Sequence, residues 1–179
     1  MFSLGHFDNT KMKIKAQLAN AITLVNLSFG VLAIILVIKD LAHMSLVFIF
    51  LAALFDRFDG MVARRFDAES LFGKELDSLC DLVSFGVAPA LLIYEMALGT
   101  EIWAGIIVTV IYILAGAVRL ARYNSTEFDG AFCGLPITAA GVLMTLSFFL
   151  IPYMQPLFFI ILMVVLSALM VSNIRITKV

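Results

Sequence analysis

Charge is scarce in this chain. Only 14% of its 179 residues are Asp, Glu, Lys or Arg, and the two signs nearly cancel to leave a net charge of −1. With 63% hydrophobic residues and a mean hydropathy of +1.07, that scarcity excludes an ordinary soluble globular protein. The absence of a basic stripe with interleaved aromatics excludes a nucleic-acid partner. Cysteine is scarce as well: Cys80 and Cys133, both in apolar settings, are too few for a disulfide scaffold or a zinc site and read as small buried hydrophobes. No Ser/Gly/Pro-rich linker, charge block or internal repeat divides the chain. A single membrane-embedded domain over 20–179 is therefore expected, preceded by a polar, basic segment over 1–19. That segment reads as an interfacial amphipathic helix or as a basic tail. It does not read as a secretory signal, because the apolar run after it is long and lacks a small-x-small cleavage site.

What is abundant is long apolar sequence. Runs able to cross a bilayer need about 17–25 residues, and six occur, near 20–38, 43–65, 74–97, 101–122, 133–152 and 156–173. The fold expected is an all-α integral membrane protein of six transmembrane helices. On that topology Lys11, Lys13, Lys15, Arg57, Arg64, Arg65, Lys74, Arg119, Arg122, Arg175 and Lys178 share one side, and only Lys39 falls on the other. The bias predicts cytoplasmic N- and C-termini for a multi-pass protein of the cell membrane.

The little charge there is concentrates. Asp56, Asp59, Asp77 and Asp81 fall within 26 residues, at the cytoplasmic ends of the second and third runs. Ionisable side chains in membrane segments are costly and mark function. Asp56 and Asp59 are three apart, and Asp77 and Asp81 are four apart, so each pair shares a helix face. Two antiparallel helices joined by the polar loop Arg65–Phe72 would bring the stripes together. Four carboxylates in one pocket repel unless a cation intervenes, and oxygen-only ligation points to Mg²⁺, Mn²⁺ or Ca²⁺. Gly60, Ala63 and Gly73 lie among them and suit either a flat ligand against the backbone or close helix packing. Asn20, Thr23 and Asn26 recur every third residue on the first run and suit ligand contact or interhelical hydrogen bonding.

The run Asp56-x2-Asp59-Gly60-x2-Ala63-Arg64-x8-Gly73-x3-Asp77-x3-Asp81 resembles the signature of the CDP-alcohol phosphotransferase family at all eight positions and every spacing. The resemblance implies six transmembrane helices, a cytoplasmic active site and a homodimer. It implies that Asp56, Asp59 and Asp77 ligate the divalent metal, with Asp81 beside it as the general base. Gly60, Ala63 and Gly73 would make room for the cytidine, Arg64 would pair with the diphosphate, and Thr23 and Asn26 would face the nucleotide.

Three further segments, Asp81–Ala90, Arg119–Asn124 and Phe132–Thr138, are similar to those of the integral-membrane phosphatidylserine synthases. That likeness implies CDP-diacylglycerol and L-serine as substrates, phosphatidylserine and CMP as products. Serine asks for a cation, an acceptor and a base. Arg119 and Arg122 are placed to meet its carboxylate or a lipid phosphate, or else to act as positive-side anchors and helix-end caps; Asn124 and Ser84 are further candidates. Glycerol 3-phosphate or inositol phosphate as acceptor, or an ether-linked donor, are the alternatives within the family. A cation transporter is disfavoured, since no repeat is present and the acids lie at one face rather than at mid-membrane.

Overall fold

The computed structural model describes residues 4–65, 70–125, 132–173 and 175–176. They form six helical rods: α1 (Leu4–Ile38), α2 (Ala42–Arg65), α3 (Leu71–Leu98), α4 (Ile102–Ser125), α5 (Ile137–Leu150, its last turn 3₁₀) and α6 (Pro156–Val171). A two-residue antiparallel pair, β1 (Phe132–Cys133) with β2 (Arg175–Ile176), is the one extended element among the described residues. The chain is an all-α membrane protein. Asn20–Ile38, α3 and α4 are each long and apolar enough to cross a bilayer, while α5 and α6 are apolar but shorter. Residues 4–19 enter α1 without a break, so the basic segment and the first apolar run make one helix.

Local chemistry explains the ends of these rods. Asp40, at φ 59°, lets α1 stop in a left-handed residue; Leu41 N–H then donates to Leu36 O at 2.9 Å and Asp40 N–H to Val37 O at 3.0 Å. These two bonds satisfy carbonyls that the last turn leaves open, and the chain reverses into α2. Ser70 caps α3 by accepting from Gly73 N–H at 3.0 Å. The fifth rod begins at Ile137 rather than near 133, because Gly134 sits at φ +78° and Pro136 holds extended backbone at ψ 139°.

More than half of α3 is buried, against 28% of the α1 span and 39% of α4, which makes α3 the central rod. Pro89 and Gly86 predict a kink here. There the rod widens into a π-helical stretch at Leu82–Val87 just before the proline. Pro89 has no N–H for the Phe85 carbonyl four residues earlier, and Tyr112 Oη on α4 donates to that carbonyl at 3.3 Å. In lipid, helices associate through close packing rather than through expulsion of water. The crossings with α3 are accordingly made at small residues: a Cβ on Gly141 of α5 would lie 2.6 Å from Phe85 O, and one on Gly30 of α1 would collide with Ser84. Other hydroxyls inside the bundle turn back on their own helices: Thr145 Oγ1 donates to Gly141 O and Ser167 Oγ to Met163 O, both at 2.7 Å.

Candidate active site

The α2 and α3 stripes do meet. Carboxylate oxygens of Asp56, Asp77 and Asp81 all lie within 4.8 Å of one another. Asp81 is buried, and Asp56 and Asp77 are half-buried. Asp59, Ala63 and Arg64 belong to α2 by backbone, but their side chains lie outside the described residues, as does the loop 66–69. The spacing of the three oxygens suits one hard cation, whose metal–oxygen bonds of about 2.0–2.6 Å allow ligand oxygens to sit up to roughly 5 Å apart. An all-carboxylate donor set favours Mg²⁺, Mn²⁺ or Ca²⁺ over zinc.

The first helix supplies the neighbouring wall. Asn20 Oδ1 lies 3.0 Å from where a Cβ on Gly73 would stand, and Ser70 Oγ lies 3.1 Å from it, so a side chain at 73 would press on both. Thr23 is buried. Asn26 is wholly buried, and neither its Nδ2 nor its Oδ1 has a hydrogen-bond partner among the described residues. An amide so placed is costly unless something else satisfies it. Ser84 is wholly buried at the crossing with α1, its Oγ donating to Asn26 O at 3.4 Å.

Opposite α3, the C-terminal end of α4 carries the remaining candidates. Arg119 is within Coulombic reach of Asp81, and its guanidinium stands 5.9 Å from the Tyr123 ring centre, with Lys74 Nζ at 5.0 Å from the same ring. Its Nε is buried without a partner among the described residues. Asn124 Nδ2 donates to Ser78 Oγ at 3.0 Å, while Asn124 Oδ1 is buried and likewise unpartnered among the described residues. Arg122, read from its spacing as a companion of Arg119, is directed to α6 instead: Nη1 donates to Val171 O at 2.7 Å and Nη2 to Asn173 Oδ1 at 2.5 Å.

A groove of about 860 Å³ runs between α2 and α5, lined by Ala53, Asp56, Arg57, Gly60, Met61, Thr138, Ala139, Val142 and Leu143. It joins the acid cluster at Asp56 and is otherwise largely apolar. Of its α5 wall the sequence marks only Thr138, the end of the Phe132–Thr138 segment; Ala139 and Val142 look like ordinary span residues until α2 is set beside them. Ser78 was missed for a similar reason; its signal was its place between Asp77 and Asp81, on a helix whose faces are both engaged.

Residues 16–172 match the family model for CDP-alcohol phosphatidyltransferase, and the chain belongs to that family. It is 39% identical over 166 residues to the archaetidylserine synthase of Methanothermobacter thermautotrophicus, covering 90% of this chain and 70% of that protein. It is 41% identical over 156 residues to the CDP-diacylglycerol–serine O-phosphatidyltransferase of Bacillus subtilis, covering 86% of each. A protein of the same name from Methanocaldococcus jannaschii is 41% identical over 127 residues, 71% of this chain and 58% of that one.

Proposed function

We propose that the protein is a phospholipid-synthesising enzyme that transfers a phosphatidyl group from CDP-diacylglycerol to the hydroxyl of L-serine, giving phosphatidylserine and CMP. One observation carries the acceptor assignment: Arg119 Nε and Asn124 Oδ1 are buried, lack partners among the described residues, and lie on the α4 end that adjoins Asp81. A cation, an acceptor and a base are the complement of serine's carboxylate, ammonium and hydroxyl. The names of two relatives support the same reading, since they differ in the lipid and share serine. An ether-linked donor stays compatible with this acceptor site.

Asp56, Asp59, Asp77 and Asp81 would hold a divalent ion, Mg²⁺ or Mn²⁺ before Ca²⁺. Bound there, the ion neutralises the diphosphate and stabilises the departing CMP. Gly60, Ala63 and Gly73 leave room for the cytidine, Arg64 pairs with the diphosphate, and Thr23 and Asn26 line the nucleotide side. The α2–α5 groove seats the apolar part of the donor next to Asp56. Arg119 orients the serine carboxylate and Asn124 Oδ1 accepts from its ammonium. Asp81 takes the hydroxyl proton as the serine oxygen forms its bond to the lipid-bearing phosphorus. The bond from that phosphorus to the bridging oxygen breaks, and its electron pair leaves with CMP.

A phosphorylated acceptor, glycerol 3-phosphate or inositol phosphate, would want several cations at this place. Of the nearby cations Arg65, Lys74, Arg119 and Arg122, the side chain of Arg65 lies outside the described residues; among those described, Arg122 is bonded to α6, and Lys74 and Arg119 share the Tyr123 ring, with Arg119 also facing Asp81. We place all six helices across the cell membrane, with both termini, the 1–19 segment and the site on the cytoplasmic side, in a homodimer. Purified protein given CDP-diacylglycerol, Mn²⁺ or Mg²⁺, and each alcohol in turn is expected to release CMP with serine. Release driven only by glycerol 3-phosphate, or equal without any alcohol, overturns the serine reading.

A further inference from the structure

The end of α4 that bears Arg119 and Asn124 is fastened to the end of α6 by a set of contacts outside the acid cluster. Arg122 Nη1 donates to Val171 O at 2.7 Å, and Nη2 to Asn173 Oδ1 at 2.5 Å. On the far side of the α4–α5 connection, Leu135 N–H donates to Leu169 O at 3.1 Å, and Phe132–Cys133 pairs with Arg175–Ile176. Gly134, at φ +78°, presses on the same helix end; a Cβ there would lie 2.5 Å from Met170 O and 3.1 Å from Leu169 O. The last carbonyls of a helix have no intrahelical donor. Here those of α6 are met by groups from both ends of one connection.

We infer that Arg122 and Asn173 are positioning residues for the acceptor, a clamp that fixes the angle at which Arg119 and Asn124 face Asp81. This rests on the reading that those two side chains hold the acceptor. The donor-side groups stand on α1, α2, the first turns of α3 and the α5 side of the groove rather than on α4, so loss of the clamp weakens acceptor binding and spares the donor. A guanidinium makes both bonds from one planar fork; an ammonium at the same place does not.

The test uses the full-length protein purified with lipid, CMP release as readout, and KM measured separately for acceptor and donor. Arg122→Ala, Arg122→Lys and the mild surface change Asn173→Ala are each expected to raise the serine KM about tenfold while the CDP-diacylglycerol KM stays within about twofold. Wild-type serine KM in both Arg122→Lys and Asn173→Ala, with only Arg122→Ala impaired, would mean that Arg122 meets the substrate through its charge, and the clamp is overturned. Equal increases in both KM values would reduce it to a general packing contact, which also overturns it. Should wild type prefer another alcohol, the serine reading fails by itself. The variant-to-wild-type KM ratio for that alcohol then decides the clamp.

Discussion

Asn124 Nδ2 donates to Ser78 Oγ at 3.0 Å, tying the end of α4 to α3 between Asp77 and Asp81. The bond fixes the amide plane and leaves Oδ1 buried without a partner among the described residues. A side chain held in this way is ready to accept from a substrate ammonium. Asn124→Ala is therefore expected to raise the serine KM about tenfold, the worth of one hydrogen bond to a charged group, with the donor KM unchanged. Steady-state CMP release at varied serine checks it; an unchanged serine KM removes Asn124 from the acceptor site.

Asp81 is the most buried of the three converging carboxylates and adjoins both the cluster and Arg119. Replacing it by Asn keeps the shape but removes the proton acceptor. General-base loss of about 10²–10⁴ in kcat is expected, with Mn²⁺ binding, followed by calorimetry or electron paramagnetic resonance, largely kept by Asp56, Asp59 and Asp77. Full turnover in Asp81→Asn would remove it from the base role.

The pairing of Asp56 with Asp77 and Asp81 was legible in the sequence because helical spacing alone puts each pair on one face, and a short loop leaves the two helices little choice but to meet. The six rods were legible for the same kind of reason, since apolar length is a local property. Arg122 was not. Its partners are 49 and 51 residues away, and three-residue spacing from Arg119 says nothing about which neighbour draws a long side chain aside. Ser84 and Gly30 show the same limit: each looks like a site residue or a spacer until the crossing of α1 and α3 brings them into contact. The π-helical stretch at Leu82–Val87 depends on how α3 accommodates Pro89 within its packing, a tertiary property that no local pattern announces.

Among the described residues, the donor set formed by Asp56, Asp77 and Asp81 is oxygen only. Chelation by EDTA is expected to abolish CMP release, Mg²⁺ or Mn²⁺ to restore it, and Zn²⁺ to restore little, because a carboxylate cage without nitrogen or sulfur matches hard cations. Undiminished turnover in a thoroughly chelated sample would refute a metal at this cluster.

Gly141 lets α5 lie directly on the Phe85 backbone, where an added Cβ would approach Phe85 O to 2.6 Å and Phe85 Cβ to 2.7 Å. Neither atom is a flexible side-chain end. Gly141→Ala is therefore expected to destabilise the bundle by about 1–3 kcal/mol, as overpacking does, seen as a lower midpoint of thermal unfolding in detergent. An unchanged midpoint would mean that the crossing yields more easily than its geometry suggests.

The groove between α2 and α5, the proposed seat of the donor, differs in chemistry from the proposed acceptor site on α4. Its α5 wall, Thr138, Ala139, Val142 and Leu143, is mainly apolar and faces Asp56 and Gly60 across the gap, whereas the Arg119–Asn124 end of α4 is polar and tied to α3. An indole at 139 would fill space that a lipid donor needs without touching the α4 groups. Ala139→Trp is expected to raise the KM for long-chain CDP-diacylglycerol about tenfold or more, since the ring takes the space in which an acyl chain would pack, and to leave the serine KM unchanged. A donor with very short chains should be affected much less, because it has little apolar length to seat. If long- and short-chain donors suffer alike, the groove does not hold the acyl chains; the added bulk is then acting on the diphosphate end, through Asp56 and Gly60.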